Sequence, residues 1–114
     1  MAAQTNAAGA PPDVVIFQTE FGFQVSPPVV IKHSLDTFRV LNVTNLTARV
    51  VFGSLSADPA QLTIPRHQTG TSTIGQNGIG AYQYKVMIVV FDQERQEDVE
   101  LRASGNSDPY IIID

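Results

Sequence analysis

The chain contains no cysteine among its 114 residues. That absence excludes disulfides, thiolate nucleophiles, iron–sulfur ligation and every cysteine-based zinc pattern, without fixing a compartment. Basic residues are scarce: seven Lys and Arg stand against eleven Asp and Glu, for a net charge of −4. They are also scattered, so no patch can follow a phosphate backbone, and nucleic acid is not an expected partner. No apolar run approaches the roughly 20 residues of a membrane-spanning helix. The opening "MAAQTNAAGAPP" has neither the basic nor the apolar region of a secretory leader, so membrane insertion is not expected and the sequence gives no compartment. Catalytic signatures are missing too. There is no Gly-x-Ser-x-Gly elbow, and "GQNGIG" lacks the strand-to-helix setting and the Lys-Ser or Lys-Thr of a phosphate-cradling loop. The acids cluster at one tip instead of facing each other across a cleft, so glycoside chemistry is not expected either. The expectation is a chain that is not an enzyme, with no catalytic residue and no cofactor.

What is present points to a folded domain. Apolar residues make up 43% and charged residues 16%, enough apolar surface to offset the entropy of ordering the chain. The length suits one core. Residues 1–12 are Ala, Gly, Pro and small polar residues and read as a flexible N-terminal arm or linker, which leaves residues 13–114 as a single domain.

Along that domain, β-branched and aromatic runs are punctuated by turn residues. "DVVIFQTEFGFQV" places Phe17, Thr19, Phe21, Phe23 and Val25 on one side of an extended chain and Val14 and Ile16 on the other, until Ser26-Pro27-Pro28 stops it. "VVIKH", "TFRVLNVTN" and "ARVVFGSL" follow, with turns expected at Ser34-Leu35-Asp36 and Asn45-Leu46-Thr47; in the middle run Phe38, Val40 and Asn42 alternate with Thr37, Arg39 and Leu41. "SADPAQ" has the residues for one helical turn, capped by Asp58 with Pro59 in first position. Asn77-Gly78 is a turn dipeptide after a Thr-rich strand. The run Val86–Phe91 suits a strand covered on both faces. "QERQED" reads as a charged hairpin tip, "VELRAS" as the returning strand, Gly105 to Pro109 as a turn and "YIIID" as the last strand. The expected fold class is all-β, a Greek-key antiparallel β-sandwich of about eight strands.

The order of these motifs resembles the cupredoxin-like family. Similar domains carry a "G-D-T-V-x-F-x-N" strand, a histidine-bearing loop and "G-x-Y-x-Y-x-C", matched here by "FQVSPPVVIKHSLDTFRVLNVTNLTARVVF" and "GAYQYKVMI"; the closing "DPYIIID" resembles the last strand of copper-free bacterial relatives. The resemblance implies the sandwich, but its copper ligands do not carry over. It places the first histidine at or beside Ala48 and the cysteine at or beside Val86, and "MIVVFD" stands where the His-Met loop would follow. A type 1 centre needs two imidazoles and a thiolate, so that site is absent.

The remaining candidates are few. His33 and His67 are the only imidazoles, each at the end of an expected strand and without chelate spacing, so no metal site is expected and the pair stands only as an alternative. The acids of "DQERQEDVE" lack the glycine and ligand spacing of a calcium loop and read as a solvated hairpin. Asn42 and Asn45 each begin a glycosylation sequon, best attributed to chance. Tyr82 and Tyr84 are expected on one strand face, packed with hydroxyls toward the rim. The function expected is a non-catalytic structural or protein-interaction module, a subunit or domain of a larger assembly such as a filament, shell or particle. Its partner, or a second copy, would engage sheet edges, "YIIID" or the N-terminal arm. The alternative is a metal-binding or electron-transfer protein with a rebuilt site.

Overall fold

The computed structural model describes residues 10–103 and 108–114. The arm expected over residues 1–12 thus lies mostly outside the described residues, as do Gly105, Asn106 and Ser107 of the last expected turn. The described chain forms twelve strands and no helix: β1 Val14–Thr19, β2 Gly22–Ser26, β3 Val29–Lys32, β4 Thr37–Asn42, β5 Thr47–Val51, β6 Ala57–Asp58, β7 Gln61–Ile64, β8 Gln68–Ile74, β9 Gly80–Gln83, β10 Lys85–Asp92, β11 Glu97–Arg102 and β12 Tyr110–Ile113.

One layer is a five-stranded sheet in the order β2-β1-β4-β8-β6. Facing it are a four-stranded sheet, β11-β10-β5-β7, and a three-stranded sheet, β3-β12-β9. The inward residues of all three form one core. Val14, Ile16, Phe38, Val40 and Ile74 come from the first sheet, Ala48, Val50, Ile64, Val86 and Ile88 from the second, and Ile111 and Ile113 from the third. Burial in β4 alternates as the sequence requires: Phe38, Val40 and Asn42 point inward, while Thr37, Arg39 and Leu41 are half-buried on the outer face. The architecture is an all-β sandwich with crossing connections.

Several details differ from the sequence reading. The expected eight strands become twelve because long runs are broken. "DVVIFQTEFGFQV" is a hairpin, not one strand: β1 pairs β2 antiparallel with Thr19 opposite Gly22, and Phe21 sits on the turn, 86% exposed. Gly22, at φ +122°, supplies the backbone conformation that turns the chain. "SADPAQ" forms no helical turn, because Ala57 and Asp58 pair with Ile74 and Thr73 and extend the sheet past β8. Pairing is not purely antiparallel, since β1 runs parallel to β4 and β3 parallel to β12. β12 lies between β3 and β9, with Ile111 and Ile113 inside, so "YIIID" is a central strand and has no free edge to offer.

Two asparagine and glycine positions hold the layers together. Gly70 lies where β8 passes under β7: a Cβ there would meet Ile64 Cγ1 at 2.6 Å and Cδ1 at 2.8 Å. Asn77 is not the turn of a hairpin, because β8 and β9 belong to different sheets. Its side chain instead accepts from Ser56 N at 2.8 Å and donates to the Ser56 and Gly75 carbonyls, both at 3.0 Å.

Candidate functional site

β9 and β10 are one stretch of chain interrupted at Tyr84. The peptide N–H of Tyr84 donates to Pro109 O at 3.0 Å, one step beyond the Gln83–Tyr110 pair in the register of β9 with β12, and from Lys85 the chain pairs with β5 in another sheet. Tyr84 does not share the rim position expected for both tyrosines. Tyr82 does send its hydroxyl to Gly78 O at 2.8 Å, but Tyr84 is only 2% exposed and its hydroxyl has no hydrogen-bond partner. Its ring meets Phe38 edge-on at 5.6 Å and tilts against Phe52 at 6.2 Å. Burial, and secondarily the charge of Asp13, hold its phenol well above the usual tyrosine range.

Beyond Tyr84 the expected ligand positions are plain core. Ala48 on β5 and Val86 on β10 are fully buried, and the register sets Ala48 opposite Ile88 and Val50 opposite Val86. An alanine methyl and a valine isopropyl group offer no donor atom to a metal. "MIVVFD" does not loop out after Val86. It continues as β10 through Asp92, turns over Gln93–Gln96 and returns as β11.

The two histidines are not brought together. His67 immediately precedes β8, at φ +59°, and its Nε2 lies 2.9 Å from Asn45 Oδ1. His33 lies beside the other end of that strand, where Leu35 N donates to Ile74 O, and its Nδ1 contacts Asp114 O at 3.2 Å. The seven residues of β8 separate them by roughly 20 Å. Among the described residues no group of three or more His, Asp or Glu side chains is placed to hold a metal ion. In the acidic tip, Asp92 Oδ1 accepts from Glu94 N at 2.9 Å and Arg95 N at 3.3 Å, so its carboxylate closes the hairpin turn.

Asn42 is the most connected polar group of the core. Its Nδ2 donates to Leu46 O at 2.8 Å and Ile64 O at 3.0 Å, and its Oδ1 accepts from Thr44 N at 3.0 Å and Thr44 Oγ1 at 2.7 Å. It fastens the β4–β5 loop to the end of β7. As a fully buried amide it is not a glycosylation acceptor in the fold, whereas Asn45 is exposed.

That loop walls one side of an open groove of ≈ 880 Å³ on the outer face of the four-stranded sheet. The floor is built from alternate residues of β10. Val86, Ile88 and Val90 face the core, so Met87, Val89 and Phe91 face outward; contrary to the expectation of a strand covered on both sides, Phe91 is 53% exposed. Across β11 the register sets Glu100 opposite Val89 and Asp98 opposite Phe91. On the other side lie Thr47 and Arg49, with Leu46 from the loop. Arg49 Nε approaches Glu100 Oε2 to 2.7 Å without aligning its N–H for a hydrogen bond, so the contact is one between charges. Sequence reasoning passed over this site. Its signal was the period of two that puts Val89 with Phe91 and Asp98 with Glu100 on one face, hidden by treating both runs as uniform.

No family model and no curated protein matches the chain. Among solved structures, it is similar to a Cu(I) form of a methionine-to-alanine mutant of amicyanin, at 16% identity and a TM-score of 0.55, over 96% of this chain and 90% of that one. That likeness shows a cupredoxin-like fold. It extends to no activity, because the donor residues are those of this chain and not of its neighbour.

Proposed function

We propose that this protein is a copper-free cupredoxin-like domain that works as a non-catalytic protein-interaction module. The observation that carries the reading is the conversion of the ligand strand. The positions where donors would stand, Ala48 and Val86, are sealed into the core, while the strand that follows runs on into a hairpin whose outer face is open and partly apolar. Beyond Val89, the last residue of β10 paired to β5, Val90–Asp92 and their β11 partners form a two-stranded ribbon past the edge of the sandwich. Such a ribbon is surplus to closing the core, and an exposed aromatic on it fits a surface that meets another protein.

The competing reading is a rebuilt metal site using His33 or His67. Titration of the full chain with Cu(II) and Zn(II), followed by desalting and elemental analysis, separates the two. The proposal expects less than stoichiometric metal retained, equal in the His33→Ala and His67→Ala variants. One tightly held metal per chain, lost on either substitution, would overturn it.

A further inference from the structure

The groove on the outer face of the four-stranded sheet combines an apolar floor with an acidic side along β11. Of the carboxylates at this end, Asp98 and Glu100 line the groove, with Arg49 against Glu100 at 2.7 Å; Asp92 and Glu97 lie on the other face of the ribbon and Glu94 in its turn, where Arg95 stands 3.8 Å from both Asp92 and Glu97. Five carboxylates against two guanidinium groups leave three of the chain's four net negative charges at this end. Asp98, directly across from Phe91, takes part in no ion pair among the described residues. An exposed ring with a free carboxylate beside it suits a cation, which is drawn to the face of the ring as well as to the oxygen atoms.

We propose that this groove binds an extended basic segment of a partner protein, in which an apolar side chain lies on Val89 and a Lys or Arg two residues away rests over Phe91 against Asp98. The inference rests on the interaction reading above and names its surface and the chemistry of its partner. Charge complementarity selects a basic occupant over an acidic or neutral one. The spacing within the sheet selects an extended one, since Val89 and Phe91 are a two-residue strand step apart. Glu97 has the same charge as Asp98 but lies on the opposite face of the ribbon, opposite Asp92, so it serves as an internal control.

The test titrates the isotope-labelled full chain with the peptide acetyl-Val-Ser-Lys-Ser-Val-amide, whose Val and Lys share one face when extended, and with its Glu-for-Lys counterpart, following backbone amide shifts. The lysine peptide is expected to give saturable shifts centred on Val89, Phe91, Asp98 and Glu100, weakened by added salt, and the glutamate peptide none. Asp98→Lys is expected to weaken binding by about tenfold and Glu97→Lys by less than about twofold. Phe91→Ser, at an exposed site, supplies a second variant that should also weaken binding. Equal binding of both peptides, equal effects of the two charge reversals, or shifts centred on another face would overturn the proposal. So would shifts along β11 that ignore Phe91→Ser, which would show addition to the sheet edge instead. A chain that retains no metal and ignores the peptide sinks this inference alone, whereas stoichiometric metal sinks the reading on which it rests.

Discussion

Asn42, Gly70 and Tyr84 show how single residues decide this core. Replacing Asn42 by Leu keeps the volume but removes the donor to the Ile64 and Pro65 carbonyls and the acceptor of Thr44 N, while the Thr44 hydroxyl can still donate to Leu46 O. Each buried group left unpaired costs about 1–3 kcal/mol, partly relieved where water can enter, so urea unfolding of Asn42→Leu should show a loss of about 3 kcal/mol. A loss below about 1 kcal/mol would mean that the loop is held by other contacts. Gly70→Ala pushes a methyl group into Ile64, which is 1% exposed and has nowhere to move; about 2 kcal/mol of destabilisation is expected in the same assay. Tyr84→Phe works the other way. Its hydroxyl is buried without a partner, so the variant should be at least as stable as the parent near neutral pH. It should also flatten the alkaline side of the stability profile. The folded state holds the Tyr84 proton above the pH at which the unfolded chain releases it, so the parent's stability is unaffected by this group below about pH 10 and falls as pH rises beyond. An equal alkaline decline in Tyr84→Phe would contradict that assignment. Asn42 was legible as an inward position from the alternation in "TFRVLN", but its partners come from 4 and 22 residues away and no local pattern announces them.

At the scale of elements, the ribbon is the part of the fold that the core needs least. Val90 and Val99 face each other across the hairpin, so joining them by Asn-Gly in place of residues 91–98 gives a two-residue turn between paired positions. The shortened chain should keep its β-sheet circular dichroism and cooperative melting while losing the groove's ability to bind the lysine peptide. Loss of cooperative melting would show that the ribbon is part of the folding unit. Strand existence was readable wherever a run alternated and ended in turn residues, as in β4 and in the hairpin that turns over Gln93–Gln96. Strand breaks were not. The bend after Thr19 uses Glu20 and Phe21, which carry no turn signature apart from Gly22 behind them. The switch at Tyr84 depends on Pro109, 25 positions further along the numbering, to take its N–H. The same limit explains "YIIID", whose composition gives a strand but whose central place between β3 and β9 is set by long-range pairing alone.

For the whole molecule, the sandwich carries apolar side chains at Ala48 and Val86, and its open groove lies on the outer face of the four-stranded sheet. Absence of donors at positions 48 and 86 was readable from residue types, because no arrangement makes Ala48 and Val86 into ligands. The separation of His33 and His67 was not, since it follows from β8 standing between them. The measurement that bears most directly on the central claim is site-directed photo-crosslinking in the cells that make the protein, with benzoylphenylalanine placed at Phe91 and, as a control, at Thr71 on the exposed face of the five-stranded sheet. The account predicts a discrete heavier protein adduct from position 91 and none from position 71. Adducts from position 71 matching those from 91, or none from 91, would contradict it.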